Sequence, residues 1–425
     1  MKSVLAAALA AAVALVGAPA SAAPLPPYAE VSFLEVPNAV AVADTGLMAV
    51  SLFDQKSVAL VSPEGTVQTA EIDCGPVGVA INSEGTKAWA VCRDSAYLYI
   101  VDTATATVGI AGFGEVGAEG IAYRPSADEI LLATPTSQSI VVIGDIKADN
   151  YLIEGKIPTP GLGVWTLALA PGGNTAYGVT ISNKVVRLDL STQTVTALGG
   201  ADMAAWSVAV SADGTTLYCG AWIGGDNGYP AIRSIDPATG ATRQEVRLNF
   251  SIPGSSAINV AAGYRVLYAA AGLGINVNGT DTGLLALPLD SLGRMGPVGT
   301  FTSTAGYGSA VGLSTDRSRL SVSLTSGIAM AMVTGDTPYP ASLSLRAKTA
   351  KGSVTLTGRA VSIPVGTRVT VLVKDLTAKR PRFVAQAKTA VVGANGRFSW
   401  SARMPSKRFE AYVSAAGVRS STVRP

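Results

Sequence analysis

The stretch that decides the fold is GPVGVAINSEGTKAWAV at residues 75–91, continued by YLYIVDTAT at residues 97–105. Two apolar runs flank the polar turn Ser83-Glu84-Gly85, which can reverse one strand into the next because Gly tolerates a positive φ. In the third run, Asp102 and Thr105 can satisfy backbone groups in a turn that leads to a fourth strand. The stretch therefore predicts a four-stranded antiparallel unit without a helical period.

This unit recurs along most of the chain. A short strand with a small residue at its centre occurs seven times, with centres at Ala41, Ala80, Ala122, Ala168, Ala209, Asn259 and Gly312. The intervals between centres are 39, 42, 46, 41, 50 and 53 residues. Four-stranded repeats of about 40–45 residues predict the blades of a β-propeller. The small centres suit first strands that crowd around its axis.

Residues 75–80, 89–91 and 100–105 together resemble the YVTN/NHL-type β-propeller repeats of exported bacterial proteins. The resemblance covers residues 29–336, is good in the second, fourth and fifth repeats, is weaker in the third, and is degenerate in the sixth and seventh. It implies an all-β protein with a seven-bladed β-propeller. Propellers of this kind serve as surface scaffolds, ligand binders, lyases and lactonases, so the fold alone does not choose a function.

Strand counting predicts how the ring closes. The seventh repeat supplies only three strands, within residues 309–314, 319–324 and 328–333. The segment Glu30–Val36 precedes the first repeat and alternates polar and apolar residues with a period of two. We expect it to form the outer strand of the seventh blade, because an unpaired sheet edge is a liability in an exported protein.

The N-terminus has the pattern of a secretory signal peptide. Lys2, the apolar run Val4–Val16 and the small-residue site Ala20–Ala22 predict cleavage after Ala22. The apolar run is too short for a membrane anchor, which needs about 20 apolar residues, and no later stretch is long enough to span a bilayer. We therefore expect an exported bacterial protein, secreted or at the cell surface, with no transmembrane segment.

Charge divides the chain into two parts. Residues 341–425 hold 16 basic and 2 acidic residues, a net charge of +14, whereas residues 1–340 carry a net charge of −11. The Pro-rich Thr337–Pro340 lies at the change. The predicted domains are a signal peptide (1–22), a seven-bladed β-propeller (23–337) and a basic module (338–425).

The basic module alternates apolar and polar residues in about seven short runs, which is typical of a small immunoglobulin-like β-sandwich. The runs, each expected to form a strand, are 342–347, 353–358, 368–374, 383–390, 397–402, 408–414 and 419–423. No Cys-Trp-Cys framework supports that assignment. Two interpretations of its charge stay open: the module docks on the acidic propeller, or it contacts an anionic polymer or lipid surface of the cell envelope. Because the protein is exported, we expect no nucleic-acid partner.

Composition excludes several classes of protein. With 14% charged and 48% apolar residues, the chain is neither disordered nor a coiled coil. It contains no His, which excludes Ser-His-Asp and Cys-His nucleophile pairs, His general bases and His-ligated zinc.

The three cysteines enter an oxidising compartment after export. In propellers of the resembled type, the link leading into a blade and the loop between its second and third strands open at the same end, here named the link face. Cys74 lies in such a link and Cys92 lies near such a loop. The resemblance therefore implies a Cys74–Cys92 disulfide and leaves Cys219 as a reduced, buried thiol.

The link face also gathers the candidate ligand-binding residues. Tryptophan and tyrosine beside acids and amides suit stacking against a sugar or a peptide side chain. The candidates are Asn38, Glu119, Trp165, Trp206 and Tyr307 in the links, and Trp222, Asp226 and Tyr229 in a long loop of the fifth repeat. The other interpretation is that Trp165 and Trp206 only plug the axial channel.

A second long insertion, in the sixth repeat, has the oxygen-rich look of a calcium loop. Asn276, Asn278 and Asp281 are its candidate ligands, but the acidic spacing of an EF-hand is absent. An ordinary Asn-Gly turn explains the segment better. We therefore predict no metal and no cofactor, with calcium as the weaker candidate.

These features favour an exported, non-enzymatic binding or surface scaffold protein. Its propeller would recognise an envelope polymer, a glycan or a protein ligand, its basic module would contact the anionic envelope, and we expect a monomer. The rival hypothesis is a lactonase- or lyase-like enzyme that uses Glu119, Asp94 or Asp226 as acid or base at the axial mouth. Whether the protein is an enzyme stays open.

Overall fold

The computed structural model of the protein describes most of the chain after the predicted signal peptide. The described residues form 36 strands and no helix. None of them belongs to a helix long and apolar enough to cross a membrane. The described ranges are 29–198, 203–224, 228–248, 258–277, 280–296, 298–301, 308–324, 327–332, 342–350, 353–361, 363, 366–378, 382–393, 396–403 and 409–424. The predicted signal peptide and the predicted domain boundary at 337–338 lie outside them.

Seven four-stranded antiparallel sheets make up the larger part, numbered here in chain order. The first described strand is β1 (Ala29–Ser32). Sheets 1 to 4 consist of β2 (Val40–Val42), β3 (Met48–Leu52), β4 (Ser57–Val61) and β5 (Val67–Glu71); β6 (Pro76–Ile81), β7 (Lys87–Cys92), β8 (Tyr97–Asp102) and β9 (Val108–Gly112); β10 (Gly120–Arg124), β11 (Glu129–Thr134), β12 (Ser139–Gly144) and β13 (Leu152–Pro158); and β14 (Val164–Leu169), β15 (Thr175–Thr180), β16 (Val185–Asp189) and β17 (Thr194–Ala197).

The remaining three sheets follow the same order of strands. Sheets 5 to 7 consist of β18 (Met203–Val210), β19 (Leu217–Ile223), β20 (Tyr229–Ile235) and β21 (Thr242–Arg247); β22 (Ile258–Ala262), β23 (Val266–Val277), β24 (Thr280–Pro288) and β25 (Gly299–Phe301); and β26 (Gly308–Leu313), β27 (Arg319–Leu324) and β28 (Gly327–Met332), completed by β1.

The sheets pack in cyclic order. The first strand of each sheet contacts the first strand of the next, and β26 of sheet 7 contacts β2 of sheet 1. A buried apolar cluster lies between each pair of consecutive sheets in the described part of the chain, including one between sheets 7 and 1. This repeated packing fits a β-propeller.

The first strands approach one another so closely that certain positions require glycine. A Cβ built on Gly78 would lie 2.6 Å from the backbone oxygen of Glu119 in the next sheet, and one on Gly120 would lie 2.7 Å from that of Trp165. A Cβ on Gly312 would lie 2.9 Å from the oxygen of Val40. Any side chain at these positions would push two sheets apart.

The N-terminal strand completes sheet 7 as predicted. β1 pairs antiparallel with β28, with Ala29 opposite Met330 and Ser32 opposite Gly327. Val31 packs against the apolar cluster that contains Ile328 and the strands of sheet 1. The strand is shorter than the predicted Glu30–Val36, because it ends at Ser32.

Aspartates cap the turns between third and fourth strands, as the sequence predicts. Asp102 Oδ1 accepts the backbone N–H groups of Ala104 at 3.1 Å and Thr105 at 3.0 Å. The hydroxyl of Thr105 also donates to it, and these hydrogen bonds lower the pKa of Asp102. Asp189 and Asp236 cap the corresponding turns of sheets 4 and 5 in the same way.

Residues after 341 form two further sheets that pack face to face. One sheet contains β29 (Ser342–Ala350), β30 (Ser353–Val361) and β34 (Arg397–Arg403). The other contains β31 (Arg368–Asp375), β32 (Val384–Ala385), β33 (Ala390–Val391), β35 (Phe409–Ala415) and β36 (Val418–Arg419). Leu356 and Trp400 of the first sheet and Phe409 of the second share one buried core.

Two predicted strands of this part differ from the structure. Residues 383–390, expected to form one strand, form only β32 and β33, which pair with opposite ends of β31. Residues 419–423, expected to form the last strand, contribute β36 and an isolated bridge from Val423 to Ala411. Alternation of apolar residues finds the buried side of a segment but not how many residues pair with a neighbour.

The predicted disulfide is confirmed. Cys74, which precedes β6, is bonded to Cys92 at the end of β7, with Cα atoms 6.2 Å apart. Cys219 is a free thiol buried in β19, and this burial raises its pKa to about 12. A thiol with so high a pKa is not ionised near neutral pH, so it is not a nucleophile.

We predict that the ring depends on β1. Val31→Asp should lower the melting temperature by at least about 3 °C, because a charge enters an apolar cluster at the closure. Ser32→Asp is the control, since it adds the same charge at an exposed position of the same strand. Circular dichroism during heating measures both; equal melting temperatures would contradict the role assigned to β1.

We predict one reactive thiol in the denatured, unreduced protein and three after reduction. Alkylation followed by intact-mass measurement counts them. Reduction should also cost about 3 kcal/mol of stability, because the bond closes a short loop of 18 residues. Three thiols without reduction would exclude the bond in the native protein.

Candidate functional site

The link face is built from equivalent positions in consecutive sheets. Val77, Glu119, Trp165 and Trp206 each stand three residues before the small centre of a first strand. In β6, β14 and β18 the pairing register shifts at this residue, which marks a β-bulge. A β-bulge changes the direction in which the side chain points. The same distortion therefore occurs at equivalent positions of these three first strands.

The two predicted tryptophans lie in strands rather than in loops. Trp165 and Trp206 are half-buried at the bulges of β14 and β18. Trp165 packs against the apolar cluster between sheets 4 and 5, and its Nε1–H is buried without a hydrogen-bond acceptor among the described residues. Both interpretations, a stacking surface and a plug, are compatible with this placement.

Glu119 is held in an ion pair that the sequence analysis did not find. Arg93 Nε lies 3.0 Å from Glu119 Oε1, and Arg93 Nη2 donates to Oε2 at 3.2 Å. The Glu119 side chain is only 19% exposed, and Arg93 directly follows the disulfide-bonded Cys92. The disulfide at Cys92 thus holds the backbone next to Arg93 in place. The Arg93 guanidinium neutralises the carboxylate of Glu119, the only acidic residue among the candidates predicted in the links.

A second carboxylate on this face, Glu115, was also missed. Its Oε2 accepts the hydroxyls of Thr134, Ser137 and Ser139, and its Oε1 accepts Lys156 Nζ at 2.6 Å. Burial alone would raise the pKa of Glu115, but these hydrogen bonds outweigh it and lower the pKa to about 2. The group stays ionised and ties together four side chains of sheet 3.

The long loop of sheet 5 contributes less open surface than predicted. Trp222 belongs to β19, where it pairs with Pro230, and Tyr229 begins β20. The Tyr229 hydroxyl donates to Glu245 Oε1 at 2.6 Å, and the Arg247 guanidinium lies 4.2 Å from the ring centroid. Asp226 lies outside the described residues, as does Tyr307 of sheet 7.

The remaining candidates are dispersed. Asn38 is exposed before β2, and its backbone N–H donates to Ser51 O at 3.3 Å. Asp94 is exposed, and its carboxylate lies close to the sulfurs of Cys74 and Cys92. Three such groups within 4.8 Å of one another have the spacing of metal ligands. Those sulfurs are joined to each other, so they are not available as thiolate ligands.

The insertion of sheet 6 is an extension of two strands rather than an open loop. Asn276 lies opposite Asp281 and Val277 lies opposite Thr280, so β23 and β24 continue to positions 277 and 280. Asn278 lies outside the described residues. Alternation of Ile and Val with polar residues favours strand pairing here.

The opposite ends of the first strands of sheets 3 to 7 border an open cavity of about 640 Å³. It lies at the end where turns connect first to second strands, here named the turn face. Strand ends and turns of sheets 3 to 7 line it, including Arg124, Tyr264 and Arg317. The sequence analysis placed every site residue on the link face and did not anticipate this cavity.

The sheet β29–β30–β34 presents a basic outer face. Arg346 lies opposite Thr357, which lies opposite Ser399. Lys348 lies opposite Thr355, whose Oγ1 lies 3.0 Å from Ser401 Oγ. Alternate residues of these strands, such as Leu345, Leu356 and Trp400, are buried. Cations and hydroxyls therefore share one outer surface, named here the basic face; it also includes Arg359, Arg397 and Arg403.

Comparison with known proteins supports the fold and nothing narrower. No family model matches the chain, and no curated protein matches it. Among solved structures, 1313 chains match. One of them is hydrazine synthase of Kuenenia stuttgartiensis, with 14% sequence identity and a TM-score of 0.57 over 72% of this chain and 98% of that chain. At this identity the likeness shows the fold alone, an arrangement that fits a β-propeller.

We predict a pH-dependent contribution of Glu115 to stability. Glu115→Gln should cost at least about 1.5 kcal/mol near pH 7, because hydrogen bonds to an ionised group are lost. The folded-state pKa lies below the unfolded value of 4.5, so the stabilisation is present above pH 4.5 and is lost as the pH falls toward 2.

Urea unfolding at pH 7 and pH 3 measures the difference. Glu71→Gln, at an exposed position of β5, is the control and should change little at either pH. A Glu115→Gln effect that is as large at pH 3 as at pH 7 would contradict the assignment.

Proposed function

We propose that the protein is an exported, non-enzymatic binding or surface scaffold protein. Its seven sheets would be the blades of one YVTN/NHL-type propeller, whose link face recognises a ligand. Its two C-terminal sheets would form an immunoglobulin-like module that contacts an anionic polymer of the cell envelope. Seven sheets in cyclic contact and the shared core of the last two sheets support this architecture.

The observation that carries the proposal is the basic face. Five cations, Arg346, Lys348, Arg359, Arg397 and Arg403, alternate there with Ser and Thr hydroxyls on a paired sheet. Neighbouring strands lie about 4.8 Å apart and outward residues along a strand about 6.8 Å apart. Such a lattice of donors suits a polymer that repeats carboxylates and hydroxyls.

The two acidic residues of the C-terminal part, Asp375 and Glu410, make their contacts away from the basic face. Glu410 is ion-paired with Arg424 and with Lys374, the latter at 3.5 Å. Asp375 accepts the backbone N–H and the hydroxyl of Thr377. Both belong to the sheet of β31 and β35, so the basic face has no carboxylate of its own in residues 341–425.

At one end, the basic face contacts the predicted propeller. Arg359 Nη2 donates to the backbone oxygen of Leu292 at 3.5 Å. Burial lowers the pKa of Arg359, while the nearby Asp213 and Asp290 act in the opposite direction. Arg346, Lys348 and Arg403 lie farther along the strands and are exposed. Contact with the propeller is therefore supported for Arg359. Contact with an anionic polymer is supported for the exposed Arg346, Lys348 and Arg403.

Export is supported by a chemical feature of the folded chain. The Cys74–Cys92 disulfide is typical of proteins that fold in an oxidising compartment. The predicted signal peptide, residues 1–22, is the other support.

We predict that full-length protein binds a carboxylated polysaccharide, polygalacturonate, through the basic face. The triple variant Arg346→Ser/Lys348→Ser/Arg403→Ser should lose at least tenfold in affinity at low salt. Arg368→Ser/Arg382→Ser/Lys388→Ser removes the same charge from exposed positions outside that face, and it should lose far less. Binding of the wild type should weaken as salt rises, since screening shortens to about 3 Å at 1 M.

Biolayer interferometry at 0.05 M and 0.5 M salt measures these affinities, with dextran as the uncharged control. Equal losses in the two triple variants would reject a specific face. Salt-insensitive binding, no binding, or binding only to anionic lipid vesicles would reject the polymer as partner.

A further inference from the structure

The outer edge of sheet 2 differs from the outer edges of the other sheets. Its last strand, β9, has the sequence VGIAG, without a charged residue. The other outer strands of at least five residues, β5, β13 and β21, contain charges such as Glu71, Glu154 and Glu245. The remaining outer strands, β1, β17 and β25, have four residues or fewer. Charges and short strands protect a sheet edge from pairing, so β9 is the described edge that lacks such protection.

The backbone of β9 presents unpaired groups along this edge. The strand ends its sheet, since β8 is its only hydrogen-bonded neighbour among the described strands. Next to β9, Phe113 N–H donates to Ala96 O at 3.0 Å. Alternate residues of an antiparallel strand bond to one neighbour, so the N–H and C=O groups of Val108, Ile110 and Gly112 point away from β8. Three donors and three acceptors in a row can pair with an added strand.

An open cleft of about 490 Å³ lies beside the edge, between sheets 2 and 3. Ile100, Gly109 and Ala111 line it from sheet 2, and Tyr151, just before β13, lines it from sheet 3. A Cβ built on Gly109 would lie 3.9 Å from Ile100 Cβ, an ordinary contact, so packing does not require glycine there. Glycine inside a strand often marks a place where a ligand or another backbone approaches closely.

The polar residues of the cleft carry an excess of negative charge. Its charged lining residues are Lys87, Asp102 and Asp149. Lys87 Nζ is paired with Asp149 Oδ1, and Lys87 also lies opposite Asp102 in the β7–β8 ladder. One cation thus serves two carboxylates, both near the end of the cleft where β9 begins. Charge complementarity favours a ligand with a Lys or Arg at that end.

We propose that β9 binds an extended peptide segment of a partner protein by antiparallel strand addition. The outward N–H and C=O groups of β9 bond to the backbone of the segment, and the cleft selects its side chains, as is usual for this mode of binding. Two apolar side chains lie over the cleft beside Gly109 and Ala111, and a Lys or Arg lies near Asp102. The site lies on the flank of sheet 2, apart from the predicted link-face residues and the basic face, and does not depend on the proposed function.

Fluorescence anisotropy on the full-length protein tests the proposal with the labelled, acetylated peptide amide TLTLTK. In the expected register its threonine N–H groups face β9, its leucine side chains lie over the cleft, and its lysine lies at the acidic end. N-methylation of the second and third threonines should weaken binding at least about tenfold, because two hydrogen bonds are lost. N-methylation of both leucines is the matched control and should change binding little, because those N–H groups point to solvent. Replacement of the lysine by glutamine should weaken binding about threefold.

Protein variants locate the site. Ile110→Pro removes an outward N–H and puts a ring on the edge, so it should weaken binding at least about tenfold. Thr69→Pro makes the same change at the edge of sheet 1, where alternation from the Ile72 N–H bond to Lys56 O also turns the N–H outward. It should leave binding unchanged.

A second variant keeps the outcome clear if proline disturbs the strand. Gly109→Val fills the cleft with a residue that favours strands, so the protein should stay folded and lose at least about tenfold in affinity. Gly155→Val in β13 is its control, since a Cβ there has no neighbour closer than 3.9 Å.

The proposal is overturned if the peptide does not bind, if methylated threonines and methylated leucines have equal effects, or if Ile110→Pro and Gly109→Val keep full affinity. A dimer in sedimentation velocity that Ile110→Pro dissociates would also overturn it, because the edge would then hold a second copy of the chain.

Discussion

The close approach of the first strands around the axis is the constraint on which the rest of the structure depends. Adjacent strands come so near that Gly78 and Gly120 face backbone oxygens of the next sheet at distances no Cβ could share. Each sheet can then bury one apolar surface against each neighbour, which gives the clusters between consecutive sheets. A ring of this kind has no independent core in any one sheet, so its closure by β1 affects every interface.

The same strands determine the chemistry at both ends of the axis. Where they begin, a recurrent bulge positions Trp165 and Trp206. Where they end, tight turns leave room for a cavity that strand ends and turns of sheets 3 to 7 line, among them Gly173, Tyr264 and Arg317.

The C-terminal sheets separate packing from charge by strand alternation. Inward residues such as Leu356 and Trp400 form the core, and outward residues carry the cations. Arg359 is the exception in part, because it contacts the backbone of Leu292 in sheet 6. This contact places one end of the basic face against the acidic part of the chain and leaves Arg346 and Arg403 exposed.

Local pattern and spacing in the sequence determined the repeated four-stranded sheets, the capped turns and the closing strand, whereas the disulfide was implied by the resemblance to propeller repeats. Each of the first three depends on neighbours along one repeat, or on a count of strands, so the residue order contains the information. Asp102 illustrates this, because its acceptor groups serve residues two and three positions later. The period-two pattern did not predict the length of β1, since pairing stops opposite Gly327, the first residue of the partner strand β28.

Only the tertiary structure decided which side chains meet across strands and sheets. Arg93 and Glu119 belong to different repeats, and the hydrogen-bond partners of Glu115 come from two separate segments, the β11–β12 hairpin and β13. The cavity at the turn face needs five first strands at once. Such contacts depend on the register and packing of neighbouring sheets, and a periodic sequence constrains these only through the small residues that let the sheets approach.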